Sequence, residues 1–307
     1  MRQKKKVILL AGPTASGKSK LAIKLAEYLD GEIINADSMQ VYKEISILTS
    51  KPKHKDMKIV KHHLYGFSSV KENFSTGRWL ELTLKKIEEQ WKKGQTPIIV
   101  GGTGLYFRAL TDGLVKIPEI PNKKRKQVRN LHKKIGQKKF FNELIKLDPL
   151  AEGLVLPTDP QRTMRAYEVK KFTNKSLFEF LKETKSNFNN KIFKKFFLNI
   201  PKELLHKKIT TRVDKMFKEG AINEVEKFYK MNVNKELSSN KIIGIKEIGD
   251  YLQNKTSLIE TKELIALKTR QYAKRQFTWA RGHMKTWKMI YSPNINDLYK
   301  KIINKIF

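Results

Sequence analysis

The segment Gly12-Pro13-Thr14-Ala15-Ser16-Gly17-Lys18-Ser19 constrains this chain more than any other stretch. Two glycines with four residues between them, followed by Lys and Ser, have the spacing of a phosphate-binding loop. The apolar run 7–11 in front of it reads as a buried strand. Behind it Leu21, Ala22, Leu25, Ala26 and Leu29 recur at helical spacing. Strand, Gly-rich loop and helix together aim backbone N–H groups and a positive helix end at one anion. In that frame Lys18 neutralises a terminal phosphate and Ser19 ligates Mg²⁺, while Thr14 and Ser16 add hydroxyl donors. An ATP-hydrolysing machine and an RNA-modifying enzyme both use such a loop.

The pattern repeats along the first third. Residues 31–37, GEIINAD, are a second apolar run ending at Asp37; Trp79, Leu80, Leu84, Ile87 and Trp91 mark a helix. TPIIVGGTGLYFRAL then gives a third strand, a Gly-rich turn and another helix. This alternation predicts an α/β fold, a parallel P-loop sheet flanked by helices with ligands at the carboxyl ends of its strands. From about 117 the chain becomes basic and helical without a strand signal. KKFFLNIP at 194–201 then reads as a strand returning to the sheet. The expected organisation is therefore an α/β core of 1–116 and 194–307 interrupted by a mostly helical insertion at 117–193. The chain after 201 is expected to be helical.

Composition narrows the partners. Against 30 Asp and Glu stand 64 Lys and Arg, a net charge of +34, which suits a polyanion because bound Lys and Arg displace counterions from phosphates. Only 11 of the 64 are Arg, however, and AT-rich coding would also fill a solvated surface with Lys. There is no cysteine, which excludes disulfides and thiolate metal sites. No stretch reaches the roughly 18 uninterrupted apolar residues of a membrane span. The basic start before residue 7 raises a signal peptide, but the apolar run behind it is shorter than a secretory core of roughly 7–15 residues. A cytoplasmic monomer with no membrane association is expected.

Hydrolytic P-loop enzymes supply a second carboxylate at an apolar strand end to hold Mg²⁺ and orient water. Here PIIVGG ends in Gly101-Gly102-Thr103 without an acid, and Asp37 is the one acid at a strand end near the loop. Asp37 can orient a metal, act as a general base or merely cap a helix in DSMQ. Thr103 follows the second Gly turn and can hydrogen-bond in the cleft. Arg162 and Arg165 lie three apart on one helix face beside Gln161, which suits an RNA backbone or a solvated face equally. Near the C-terminus Ile265, Tyr272 and Trp279 form an apolar stripe read as core, and Arg270, Lys274 and Arg281 a basic one. His62-His63 has no partners at metal spacing and reads as structural. A P-loop kinase of a small metabolite shares loop and sheet but leaves the basic insertion without a role.

GPTASGKS, NADSMQVYK, GGTGLYFRAL, DPQRTMRAYEV and TRQYAKRQFTW, in this order, resemble the bacterial tRNA dimethylallyltransferase (tRNA isopentenyltransferase) family over residues 7 to 282. The resemblance implies transfer of a dimethylallyl group from dimethylallyl diphosphate, with Mg²⁺, to the exocyclic amine of the adenosine 3′ of the anticodon. It implies Asp37 as the base, with Thr103 beside it in the catalytic site, and residues Gly12 to Ser19 as the diphosphate cradle. Ser38, Met39 and Gln40, with Asp37 and Thr103, then contact the target nucleotide. Arg125, Gln161, Arg162, Thr163, Met164 and Arg165 grip the anticodon stem-loop. Lys246, in IIGIKE, occupies the place of a cation that reaches the diphosphate, and Ile245 stands where the family has Tyr.

Overall fold

The computed structural model describes residues 5–306; the basic start at residues 1–4, weighed above as part of a leader, lies outside them. Its elements in chain order are β1 (Val7–Ala11), α1 (Lys18–Tyr28), β2 (Gly31–Ala36), α2 (His54–Ile59), β3 (His62–His63) and α3 (Thr76–Lys92). Next come β4 (Thr96–Gly101), α4 (Gly104–Asp112), α5 (Asn122–Leu147), α6 (Pro160–Thr173), α7 (Leu177–Lys182) and β5 (Phe193–Asn199). The chain continues with α8 (Lys202–Lys218), α9 (Ala221–Lys230), α10 (Ile245–Leu252), α11 (Leu258–His283), β6 (Lys288–Tyr291) and α12 (Ile295–Ile306). Two compact units result, Met1–Thr111 with Phe188–Phe307, and Asp112–Asn187.

The first unit is built on a six-stranded parallel sheet in the order β3-β2-β4-β1-β5-β6. Its central strands are buried without alternation, because helices cover both faces, and only Glu32 and Asn35 of β2 and Thr96 of β4 interrupt their apolar character. One face packs Ile8, Leu10, Ile33, Ile98 and Leu198 with Leu21 and Leu25 of α1 and Leu298 and Ile302 of α12. A second core gathers Val41, Ile45 and Leu48 with Ile209 and Val213 of α8, Val225 of α9, Ile248 of α10 and Ile265 of α11.

Register positions the loops. Ala11 pairs with Gly101, and Gly101 with Ala36, so β1, β4 and β2 end level with one another. With strands about 4.8 Å apart, the phosphate loop, the turn Gly102-Thr103 and Asp37 leave the sheet side by side. Gly101 has no alternative here, since a Cβ would lie 2.0 Å from the Ala36 carbonyl oxygen.

Two strands depart from the sequence reading. The chain beyond 201 is not wholly helical: Lys288–Tyr291 forms β6 on β5. His62-His63, read as structural, is itself the two-residue edge strand β3, and His63 Nε2 lies 2.5 Å from Glu32 Oε2 on β2.

The second unit pairs α5 with α6 around Leu144, Ala151, Val155 and Ala166. Gly136, at φ 77° and ψ 166°, breaks α5 into two segments. Asp159 caps α6 by accepting from the Arg162 N–H, and Ser176 with Glu179 forms a capping box on α7.

Candidate active site

The loop after β1 is wound for an anion. Ala15 and Gly17 both adopt positive φ, 61° and 88°, which turns successive N–H groups to the same side ahead of α1. Lys18 folds over the loop, its ammonium 3.0 Å from the Pro13 carbonyl oxygen. Burial lowers the Lys18 pKa from 10.5 to about 8; Asp37 opposes that shift and Arg212 adds to it. Ser16 is buried, and its hydroxyl has no hydrogen-bond partner among the described residues. An unmatched buried hydroxyl costs about 1–3 kcal/mol, a cost that an incoming oxyanion would remove. Ser19 lies exposed in the first turn of α1.

A residue that the sequence did not announce completes this pocket. Arg212 of α8 donates from Nη1 to Thr14 Oγ1 at 2.6 Å and from Nη2 to the Leu48 carbonyl at 3.4 Å, while its Nε is buried without a partner. It sits 198 residues from Thr14 in a plain amphipathic helix, so no local pattern could flag it. Lys246, expected to reach the diphosphate, is placed differently. Its ammonium is exposed and pairs with Asp250 one turn along α10 at 2.5 Å, which raises its pKa. Arg212 joins Lys18 as a cation on the phosphate loop.

Asp37 stands at the end of β2 in a fixed pose. Its N–H donates to Asn35 Oδ1, the Asn35 amide donates to the Asp37 carbonyl, and Asp37 Oδ1 accepts from the Met39 N–H at 3.0 Å. Among the described residues, no hydrogen bond reaches its second carboxylate oxygen. Thr103 is bound into the same group: its Oγ1 accepts from the Ser38 N–H at 2.9 Å and lies 3.3 Å from Ser38 Oγ. Gln40 turns away, its amide held by the carbonyls of Thr49 and Ser50. The charge of Asp37 reaches the phenols of Tyr65, Tyr106 and Tyr272. Burial, and then the charge of Asp37, raises all three phenol pKa values, so they remain neutral. Tyr272, assigned to a core stripe by its spacing, is half-buried on α11 and within reach of the charge of Asp37. Trp279 is also half-buried and stacks on His283, while Ala273, Gln276 and Ala280 line the buried side of α11.

In the second unit Gln161 and Arg162 are exposed, Arg162 in a loose pair with Asp159 at 3.4 Å. Arg165 is half-exposed and pairs with Glu168. Met164 is half-buried. Thr163, expected on the RNA-facing side, is fully buried: its hydroxyl donates to the Asp159 carbonyl and accepts from Gln137. Its side chain secures α6 rather than facing a ligand. Arg125 is partly buried on α5 with Nε unpartnered.

The donor set fits Mg²⁺. Among the described residues no group of three or more His, Cys, Asp or Glu converges on a metal position. Ser19 offers a hard oxygen atom, and Mg²⁺ is commonly held by one or two such groups together with substrate phosphates. Also among the described residues, no helix is long and apolar enough to cross a membrane.

Residues 40–283 match the family model of IPP transferase. The chain is 52% identical over 302 residues to a tRNA dimethylallyltransferase of Pelagibacter ubique, covering 98% of this chain and 96% of that one. It is 46% identical over 286 residues to one of Rickettsia massiliae, covering 92% and 78%. The crystal structure of a tRNA isopentenylpyrophosphate transferase from Bacillus halodurans superposes with a TM-score of 0.70 at 32% identity, over 99% of this chain and 97% of that one. A eukaryotic dimethylallyltransferase captured acting on tRNA gives 0.80 at 29% identity, over 95% and 75%. With its phosphate loop, strand-end aspartate and parallel sheet, the chain belongs to the IPP transferase family.

Proposed function

We propose that this protein transfers a dimethylallyl group from dimethylallyl diphosphate to the exocyclic amine of the adenosine next to the anticodon, on its 3′ side, in tRNA. The carrying observation is the common end of β1, β4 and β2, which sets a phosphate loop beside one positioned carboxylate and no second acid. That arrangement serves transfer to a nucleophile that must lose a proton, and it lacks the partner carboxylate that orients a hydrolytic water.

The adenine nitrogen attacks the allylic carbon C1 while the bond from C1 to the diphosphate oxygen breaks. The electron pair leaves with the diphosphate, and the amine proton passes to the carboxylate of Asp37. An adenine amine is a weak nucleophile because its lone pair is delocalised, so proton removal accompanies attack. Charge grows on the departing diphosphate, where Lys18, Arg212, Ser16 and the loop N–H groups stabilise it. Ser19 would hold Mg²⁺, which would supply further positive charge to the diphosphate oxygens when bound. Thr103 and Ser38 fix the acceptor side. Exposed Arg162 and Gln161 engage the anticodon loop.

Mass spectrometry of nucleosides from tRNA incubated with the protein, dimethylallyl diphosphate and Mg²⁺ tests this reading. One added prenyl group on adenosine is expected. Unmodified tRNA, or phosphoryl transfer from ATP instead, would overturn it.

A further inference from the structure

We propose that Gln276 is a positioning residue that locks the diphosphate loop to the acceptor turn and so sets the distance over which the prenyl group moves. The inference rests on the function proposed above. Gln276 lies on the buried side of α11. Its Oε1 accepts from the Thr14 N–H at 2.9 Å, and its Nε2 donates to the Gly102 carbonyl at 2.9 Å. One partner can only donate and the other can only accept, so the orientation of the amide is set by chemistry. Thr14 is thereby held at both ends, at its N–H by Gln276 and at its hydroxyl by Arg212. Gly102 precedes Thr103, which bonds Ser38 beside Asp37. A single carboxamide thus spans the donor and acceptor halves of the site.

The packing leaves no room for another arrangement. A Cβ on Gly102 would lie 2.1 Å from Gln276 Nε2 and 3.3 Å from the Gly12 carbonyl oxygen, so turn, loop and amide are in direct contact. Transfer requires the amine and the allylic carbon to approach within about 3–3.5 Å, and a misplacement of about 1 Å can cost about 10²-fold in rate. Neither substrate need touch Gln276 for this to matter. A side chain with one donor and one acceptor at this reach is required. Leu supplies neither, and an ionised carboxylate presents an acceptor to the Gly102 carbonyl. A protonated carboxyl, by contrast, again offers one donor and one acceptor.

The test compares Gln276→Leu and Gln276→Glu with wild type, measuring kcat and both KM values from pH 5.5 to 8.5 alongside thermal melts. For Gln276→Leu, kcat should fall roughly 10²-fold, with each KM changed less than about threefold, at every pH. For Gln276→Glu, turnover relative to wild type should climb as pH falls and the introduced carboxyl protonates. Burial and Asp37 raise the pKa of that carboxyl, while Lys18 and Arg212 lower it. A merely structural role would give a pH-independent ratio in both variants, with losses that follow the melting temperature. That result, or an unchanged kcat in Gln276→Leu, would overturn the proposal. Hydrogen exchange at the Thr14 N–H does not depend on the reaction, and it should quicken in Gln276→Leu; unchanged protection would also overturn the proposal. Wild-type transfer, run in parallel, separately tests the function reading.

Discussion

At the scale of single residues, Asp37 and Lys18 carry the sharpest consequences. Asn at position 37 keeps the shape and the bond from the Met39 N–H but cannot take a proton. Asp37→Asn should therefore bind both substrates almost normally while kcat falls roughly 10²–10⁴-fold. Near-normal turnover would rule out the base, and recovery with added Mg²⁺ would reassign the residue to the metal. Lys18 yields a pH dependence. Its folded-state pKa of about 8 lies below the usual 10.5, so the unfolded chain binds more protons between those values and this residue's effect on stability improves as pH rises across that window. Donor binding runs the other way, because a diphosphate requires the charged ammonium. Affinity for dimethylallyl diphosphate should hold below about pH 8 and then fall, approaching tenfold per pH unit, as a proton must be taken up on binding. Titration calorimetry in buffers of different ionisation enthalpy measures that uptake, and Lys18→Met should abolish it.

At the scale of elements, legibility followed the size of the signal. The strands β1, β2, β4 and β5 each carry at least three apolar residues, and the loops after β1 and β4 carry distinctive glycines, so sheet, phosphate loop and the strand-end position of Asp37 could be read directly. β3 has two residues and β6 four, too few for a period, and pairing with a neighbour decides them. Arg212 and Gln276 act through contacts 198 and 262 residues away, where helical spacing is silent. The pairing of Lys246 with Asp250 and of the Thr163 hydroxyl with Asp159 and Gln137 was not legible, because a motif names a position and not the direction of its side chain. Another long-range element is the segment 46–48, whose three backbone N–H groups donate to the Glu224 carboxylate of α9 at 2.6–3.0 Å. The segment in turn gives Arg212 its Leu48 carbonyl. Hydrogen bonds to a charged group contribute about 1.5–3 kcal/mol, so Glu224→Ala should lower Tm by several degrees and raise the donor KM. Glu224→Gln, which retains an acceptor oxygen, should do less of both. A variant with wild-type Tm and KM would show that α9 does not brace the site.

At the scale of the whole molecule, charge and RNA affinity are separable from the chemistry. The unit 112–187 alone carries 18 Lys and Arg against nine Asp and Glu, and surplus cations strengthen binding to RNA by releasing counterions. Two arginines on α6 discriminate contact from architecture. Arg162 is 67% exposed and only loosely paired, so Arg162→Ala removes little from the fold. Arg165 pairs with Glu168, whose side chain is 9% exposed, and removing the arginine leaves a nearly buried carboxylate uncompensated. Arg162→Ala should therefore weaken tRNA binding at an unchanged Tm, and Arg165→Ala should weaken it while lowering Tm by a few degrees. If each touches one phosphate, each variant should also reduce the slope of log Kd against log salt by about 0.7–0.9. Dimethylallyl diphosphate affinity should stay within twofold in both, since neither residue lies in the unit that holds the phosphate loop. Filter binding between 50 and 300 mM salt, with melts in parallel, decides the matter. A weaker Kd with an unchanged slope would mean that Arg162 reads a base edge, and an unchanged Kd would remove it from the RNA interface.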